Sequence, residues 1–135
     1  MLQRKIEKQI WNWLENDKKA LLIEGARQVG KTSVIRKVLD DAKRRYVEFN
    51  LIDQPEIVGL FKNIENADDL IANLSLLTDK KLIKGETVLF FDEIQEYKEI
   101  VTKIKFLVDE GAFRYIFSGS LLGKKYCRGG EVFSF

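Results

Sequence analysis

Apolar residues occur along the chain in two patterns. In one they recur at helical spacing, and in the other they form the short continuous runs that are typical of buried strands. Helical spacing over roughly the first 15 residues predicts an amphipathic helix. The residues on its apolar face are Leu2, Ile6, Ile10, Trp13 and Leu14. The run from Ala20 to Glu24 is short and almost wholly apolar, so it predicts a buried strand that ends at Gly25.

Further elements follow from the same two patterns. They are helices over 31–41, 56–61 and 94–108, a helix that begins after Asn66, and strands over 46–51, 87–91 and 113–117. Asn66 is the expected N-cap, because Asp68 and Asp69 then lie in the first turn, where carboxylates interact favourably with the helix dipole. Residues 132–135 leave open a short fifth strand.

The regular alternation of strands and helices predicts an α/β fold, a sandwich with a mostly parallel sheet. The composition agrees with this, because 135 residues that are 45% hydrophobic and 33% charged are typical of one folded domain or part of one. No apolar run approaches the roughly 18 residues that a membrane-spanning helix needs. The sequence therefore excludes a disordered chain and a membrane span.

Charge and the chemistry-bearing residue types narrow the possible functions. The chain has 23 basic and 21 acidic residues, and a net charge of +2 is too small to indicate nucleic-acid binding by bulk electrostatics. It has no histidine, which excludes His-based catalytic triads and His metal sites. Its single cysteine, Cys127, excludes an internal disulfide. The polar N-terminus does not resemble a signal peptide, so a cytoplasmic location is expected.

A glycine-rich segment between the first strand and the second helix matches the pattern G-x-x-x-x-G-K-[ST] in full. Its residues are Gly25, Ala26, Arg27, Gln28, Val29, Gly30, Lys31 and Thr32. The glycines let the backbone curl around a phosphate, its N–H groups form an anion nest, and the helix dipole adds positive potential. Lys31 is expected to reach the β- and γ-phosphates of a nucleotide, Thr32 to bind Mg²⁺, and Ser33 to donate to the α-phosphate.

The alternative interpretation of this segment is a glycine-rich turn with a solvent-facing lysine. A buried strand before the segment and an amphipathic helix after it weigh against that alternative, because they are the context that a phosphate-binding loop requires. Arg27 and Gln28 occupy variable positions of the pattern and are expected to face solvent. The sequence therefore predicts a P-loop nucleotide-binding fold, a three-layer α/β/α sandwich.

Two carboxylates, Asp92 and Glu93, follow the apolar strand over 87–91. Ligands of open α/β sheets bind at the carboxyl edge, where the loop after the first strand also lies. Asp92 is therefore expected to hold Mg²⁺ opposite Thr32, usually through water, and Glu93 to orient and deprotonate a water that attacks the γ-phosphate. Alone, such a pair is more typical of a helix N-cap with an acidic first turn; beside a phosphate loop, the functional interpretation is favoured.

The same pair discriminates between classes of nucleotide enzyme. A GTPase usually shows Asp-x-x-Gly at this point and Asn-Lys-x-Asp further on, and the chain shows neither. Small-molecule kinases with a phosphate loop generally need no water-activating glutamate beside the metal-binding aspartate. ATP hydrolysis is therefore the favoured activity.

The fourth predicted strand leads into Ser118, Gly119 and Ser120, and a small polar residue here is placed to donate to the γ-phosphate or the attacking water. A plain Ser/Gly turn is the alternative. With the phosphate loop and the run from Phe91 to Gln95, this order of features resembles the AAA+-like bacterial and archaeal ATPases of the AAA_14 group, many of which carry a C-terminal DUF4143 domain. The resemblance covers about residues 1–122.

The resemblance implies ATP and Mg²⁺ at Lys31, Thr32 and Asp92, a catalytic Glu93, and a sensor-1-like residue at Ser120 or Ser118. It departs after Gly123, where the family continues into a helical lid and further domains. The chain is thus expected to be an ATPase core truncated before the lid, with residues 122–135 as a poorly specified tail that includes the possible fifth strand.

Two functions lead at this stage, and a third, a nucleic-acid remodeller, is disfavoured because the chain lacks the basic excess that phosphate contacts normally require. The first is Mg²⁺-dependent ATP hydrolysis that drives motion of a missing C-terminal domain or a partner protein. The second is a nucleotide-dependent switch that binds ATP and ADP with negligible turnover. If residues 132–135 do not add a strand beside Ala20–Glu24, that strand becomes an open edge, and self-association through it is expected.

Overall fold

Helices and strands alternate through the computed structural model, which describes residues 2–16, 20–24, 30–94, 103, 111, 113–119 and 132–134. The elements in chain order are α1 (Leu2–Leu14), β1 (Ala20–Glu24), α2 (Lys31–Asp41), β2 (Tyr46–Asn50), α3 (Glu56–Asn63), α4 (Ala67–Ser75), β3 (Val88–Asp92), β4 (Arg114–Gly119) and β5 (Val132–Ser134). None of the helices in these ranges is long and apolar enough to cross a membrane.

The strands form one sheet in the order β2-β3-β4-β1-β5. Strands β2, β3, β4 and β1 are parallel neighbours, and β5 runs antiparallel to β1. This arrangement confirms the predicted mostly parallel sheet. Because the four parallel strands point the same way, the carboxyl ends of β1, β3 and β4 lie at one edge of the sheet.

Helices cover both faces of the sheet, and β3 shows why. All five of its residues are buried, and the first four alternate between two cores. Leu89 and Phe91 pack with residues of α3 and α4, whereas Val88 and Phe90 pack with residues of α1 and α2. The protein is therefore a three-layer α/β/α sandwich, and β3 is apolar up to Asp92 because helices pack on both of its faces.

The ring of Phe91 is the centre of the core on the α3 and α4 side. Its centroid lies 5.3 Å from that of Phe49, 5.2 Å from Phe61 and 5.5 Å from Phe117. Phe49 and Phe117 stack on it from β2 and β4, and Phe61 of α3 meets it edge-on. These contacts hold the end of β3 in place from three sides, immediately before Asp92.

The predicted element bounds were close, with one informative error at the end of β4. The sequence predicted a strand over 113–117 followed by a Ser/Gly turn, but Ser118 and Gly119 continue the strand. They do so because β1 supplies backbone partners, with Ile23 opposite Ser118 and Glu24 opposite Gly119. The predicted helix over 94–108 lies almost wholly outside the described residues.

Strand β1 is paired on both sides. It lies between β4 and β5, and its register with β5 runs from Leu21 opposite Ser134 to Ile23 opposite Val132. The condition for self-association through an open β1 edge is therefore not met, and that expectation is withdrawn. The backbone donors and acceptors that would have recruited another chain are used within the sheet.

Asn66 caps α4, as the sequence predicted: its side-chain Oδ1 accepts a hydrogen bond of 2.9 Å from the backbone N–H of Asp69. Asn66→Ala removes this acceptor, so we expect the free energy of unfolding to fall by about 1 kcal/mol. Urea denaturation measures the change. Asn63→Ala is the matched control, because the Asn63 side chain donates to Gly59 O within its own helix and caps no helix N-terminus. An equal loss in both variants would contradict the cap.

Candidate functional site

A cavity of about 210 Å³ opens at the carboxyl edge of the sheet, between the start of α2 and the end of β3. Two segments that are far apart in sequence meet there, because both α2 and the residues after β3 begin at this edge. The residues that line it are Gly30, Lys31, Thr32, Ser33, Asp92 and Glu93. All six were among the residues predicted from the sequence.

Gly30 is the residue before α2 and has a φ of 72°, in the left-handed region. A side chain at this position would meet its own carbonyl unfavourably, so glycine is the residue that turns the chain into the helix without strain. The first backbone N–H groups of α2 and the positive end of its dipole consequently lie at the cavity. Residues 25–29 lie outside the described part, and the anion nest expected there stays a prediction.

Lys31 and Thr32, the first two residues of α2, differ in how they meet the cavity. Lys31 is only 7% exposed, which is rare for lysine, since a buried ammonium needs anionic or polar partners. Thr32 is half-buried, and its Oγ1 donates a hydrogen bond of 2.7 Å to Asp92 Oδ2. Ser33 lines the cavity but is exposed.

Asp92 is the point at which three elements meet. It is 6% exposed, and its Oδ1 accepts a hydrogen bond of 2.9 Å from the Glu93 N–H and another from Ser118 Oγ, while Oδ2 accepts from Thr32. A buried carboxylate is tolerated when its oxygens are hydrogen-bonded in this way. The sequence placed Asp92 opposite Thr32, and the structure brings their side chains into direct contact.

Glu93 is half-buried beside the cavity, and its φ is 62°. Residues other than glycine, asparagine and aspartate seldom adopt this left-handed conformation, and it costs roughly 1–2 kcal/mol. A strained residue at the wall of a cavity is often a functional one. The sequence pattern carried no signal for this conformation.

Ser118 is fully buried and bonded to Asp92, whereas Ser120 lies outside the described residues. The sequence left open which of the two has a role at the site. It missed the contact between Ser118 and Asp92, because it treated Ser118 as part of a turn. The available signal was the polar residue next to a hydrophobic strand run, which needs a buried hydrogen-bond partner.

Two side chains outside the cavity have altered acidities. The pKa of Arg36 is raised because its guanidinium donates two hydrogen bonds, of 2.8 and 2.7 Å, to the carboxylate of Glu48. Burial raises the pKa of the Tyr46 phenol. Arg36 and Glu48 join α2 to β2, so this ion pair supports the position of the helix whose N-terminus lines the cavity.

A divalent cation fits the donor set between Thr32 and Asp92. Mg²⁺ prefers hard oxygen ligands, usually takes one or two from the protein, and keeps waters and phosphate oxygens for the rest. A hydroxyl and a carboxylate oxygen that lie 2.7 Å apart at the wall of the cavity supply such ligands.

The family model of an AAA domain, AAA_14, matches residues 17–131. The chain belongs to this family. The match covers β1, the phosphate loop, α2, β3 and β4, so it includes every residue that lines the cavity. This AAA domain therefore has an AAA-like P-loop ATPase core. The fused DUF4143 domain stays a prediction.

The chain is similar to several solved structures, and the first of them, with a TM-score above 0.5, supports the fold. The Walker-type ATPase PABY2304 of Pyrococcus abyssi is 18% identical with a TM-score of 0.53, over 87% of this chain and 44% of that one. The RuvB Holliday junction branch migration motor of Thermotoga maritima is 18% identical with a TM-score of 0.45, over 87% of this chain and 38% of that one. PCH-2 of C. elegans is 15% identical with a TM-score of 0.46, over 91% of this chain and 36% of that one.

The AAA domain spans less than half the length of each of these three structures. No curated protein matches its sequence. What the longer proteins do as wholes is therefore not carried over to this chain.

Proposed function

We propose that this AAA domain binds ATP with Mg²⁺ in the cavity at the start of α2 and hydrolyses it to move a further domain or a protein partner. The observation that carries the proposal is the hydrogen bond between Thr32 and Asp92. It joins residues 60 positions apart in sequence, at a cavity that a buried lysine also lines. These side chains have the chemistry that a metal-bound triphosphate requires.

In this proposal each lining residue has one task. Lys31 binds the β- and γ-phosphates, and Ser33 donates to the α-phosphate. Thr32 and Asp92 hold Mg²⁺, Asp92 through water, so that the cation neutralises charge on the phosphates. Residues 25–30 supply backbone N–H groups, and Ser120 is the sensor that contacts the γ-phosphate.

Glu93 is the proposed general base. Its backbone N–H is held by Asp92 Oδ1, which ties the position of the base to the residue that holds the metal. Its carboxylate then orients a water in line with the γ-phosphate and accepts its proton as the water attacks. The second candidate, a switch with negligible turnover, uses the same binding residues and differs only in whether Glu93 acts.

Asp92→Asn tests the metal part of the proposal. We expect the parent chain to melt at a higher temperature with ATP and Mg²⁺, and the variant to need roughly tenfold more Mg²⁺ for half of that effect. The amide has no charge for the cation, and its N–H₂ replaces one of the two carboxylate oxygens, so either Thr32 or Ser118 loses its acceptor. Melting curves across a magnesium series at fixed ATP give this midpoint.

Asp53→Asn is the matched control, because Asp53 is an exposed aspartate in the turn after β2 and does not line the cavity. Its magnesium midpoint should equal that of the parent. An unchanged midpoint in Asp92→Asn would remove the metal role of Asp92. A parent chain that ATP and Mg²⁺ fail to stabilise would remove the proposed function itself.

A further inference from the structure

Ser118 is completely buried near the end of a hydrophobic strand. The three residues before it in β4, Tyr115 to Phe117, are hydrophobic and buried. A buried hydroxyl destabilises the fold unless it finds a hydrogen-bond partner, so a serine here needs a reason. Its Oγ donates to Asp92 Oδ1, the carboxylate that borders the cavity.

Strand geometry brings the two side chains together. Phe91 of β3 lies opposite Phe117 of β4, so Asp92 and Ser118 are one step further along the two neighbouring strands. Side chains alternate between the faces of a sheet, which puts both on the face of Phe90, the face that α2 covers. Thr32 of α2 therefore meets Asp92 from above, while Ser118 meets it from the side.

The two carboxylate oxygens of Asp92 accept hydrogen bonds from different donors. Oδ1 accepts from both Ser118 and the Glu93 N–H, and Oδ2 accepts from Thr32. Two donors on one oxygen restrict rotation of the carboxylate plane. They keep Oδ2 directed at Thr32 and the cavity.

We infer that Ser118 is a positioning residue, which orients the Asp92 carboxylate for Mg²⁺ through its hydrogen bond to Oδ1. The inference rests on the proposed nucleotide-binding function. It differs from the roles that the sequence left open for Ser118, which were a plain turn or a sensor-1-like contact with the γ-phosphate or the attacking water. A hydroxyl that acts through Asp92 serves the metal whether or not a γ-phosphate is present.

This difference gives the test. Ser118→Ala is expected to raise the magnesium concentration for half-maximal nucleotide binding roughly three- to tenfold, the value of one hydrogen bond. The shift should be the same with ATP and with ADP. Fluorescent ATP and ADP analogues, labelled on the ribose and titrated with Mg²⁺, measure both midpoints. Ser118→Thr keeps the hydroxyl and should restore the parental midpoints.

Thr87→Val is the matched control for the loss of a buried hydroxyl. Thr87 lies just before β3, at the other end of the sheet, and is 1% exposed. Its Oγ1 accepts a 2.8 Å hydrogen bond from the Ile83 N–H. This variant should lose stability in urea and keep both magnesium midpoints. If Ser118→Thr does not fold, the magnesium midpoints of Ser118→Ala and Thr87→Val still distinguish a positioning role of Ser118 from a purely structural one.

Three results would overturn the inference. Equal magnesium midpoints in Ser118→Ala and the parent would leave Ser118 a purely structural residue. A shift seen with ATP but not with ADP would show that it contacts the γ-phosphate. A parent chain with no magnesium-dependent binding of either nucleotide would overturn the proposed function and this inference with it, and that result is distinct from the other two.

Discussion

Glu93→Gln is expected to leave ATP binding near normal and to lower the rate of ATP hydrolysis roughly 10²–10⁴-fold. The amide keeps the shape of the side chain and its place beside the cavity, but it cannot accept the proton of an attacking water, and general-base catalysis typically contributes a factor of this size. The measurement is phosphate release at saturating ATP and Mg²⁺, with nucleotide affinity determined on the same preparations.

The backbone at Glu93 supplies a control that separates chemistry from folding. Glu93→Gly removes the left-handed strain at φ 62°, which should raise the free energy of unfolding by roughly 1–2 kcal/mol. The greater freedom of glycine in the unfolded chain lowers it by about 0.5–1 kcal/mol. We therefore expect the melting temperature of Glu93→Gly to stay the same or rise, while hydrolysis falls as in Glu93→Gln. A variant that loses hydrolysis without losing stability cannot be explained by damage to the fold.

Parental hydrolysis in Glu93→Gln would contradict the general-base role and leave Glu93 as an acidic residue after a strand. The switch hypothesis predicts a different pattern, in which the parent binds ATP with Mg²⁺ and its turnover is already as low as that of the variant. The two functions are thus separated by the ratio of the two rates and by the parental rate itself.

Local patterns in the sequence predicted most of the elements of the fold. The bounds of β1 and α2 were predicted to the residue, because a continuous apolar run and a 3.6-residue period are properties of a few neighbouring residues. The meeting of Thr32 with Asp92 was also predictable, although it spans 60 positions. It follows from the rule that parallel strands bring their carboxyl ends to one edge.

Features that depend on a neighbour in space were beyond these patterns. The Ser-Gly-Ser sequence that includes Ser118 is typical of a turn. Ser118 nevertheless belongs to β4, because it pairs with Ile23 of β1 and its hydroxyl donates a hydrogen bond to Asp92. Only three residues form β5, and its pairing with β1 decides whether β1 is an edge. The apolar pattern likewise did not indicate the left-handed backbone of Glu93, whose N–H donates to the side chain of the preceding residue, Asp92.

Lys31→Ala is expected to abolish most of the rise in melting temperature that ATP and Mg²⁺ give the parent. The lysine is the first residue of α2, is only 7% exposed and lines the cavity, so it is placed to donate to a phosphate bound there. A charge-assisted hydrogen bond contributes about 1.5–3 kcal/mol, which is a ten- to hundredfold loss of affinity. Each tenfold loss removes about 1.4 kcal/mol of ligand stabilisation at high ATP.

Thermal melting of each protein with and without ATP and Mg²⁺ measures this effect, since the difference cancels any change in intrinsic stability. Lys31→Met keeps the buried aliphatic stem and should lose the ATP effect equally, which assigns the loss to the charge. Lys37→Ala is the matched control: Lys37 is an exposed lysine of the same helix whose Nζ lies 3.3 Å from Glu7, a surface pair of little energetic value. It should keep the full ATP shift, and a full shift in Lys31→Ala as well would refute the assignment of this cavity as the phosphate site.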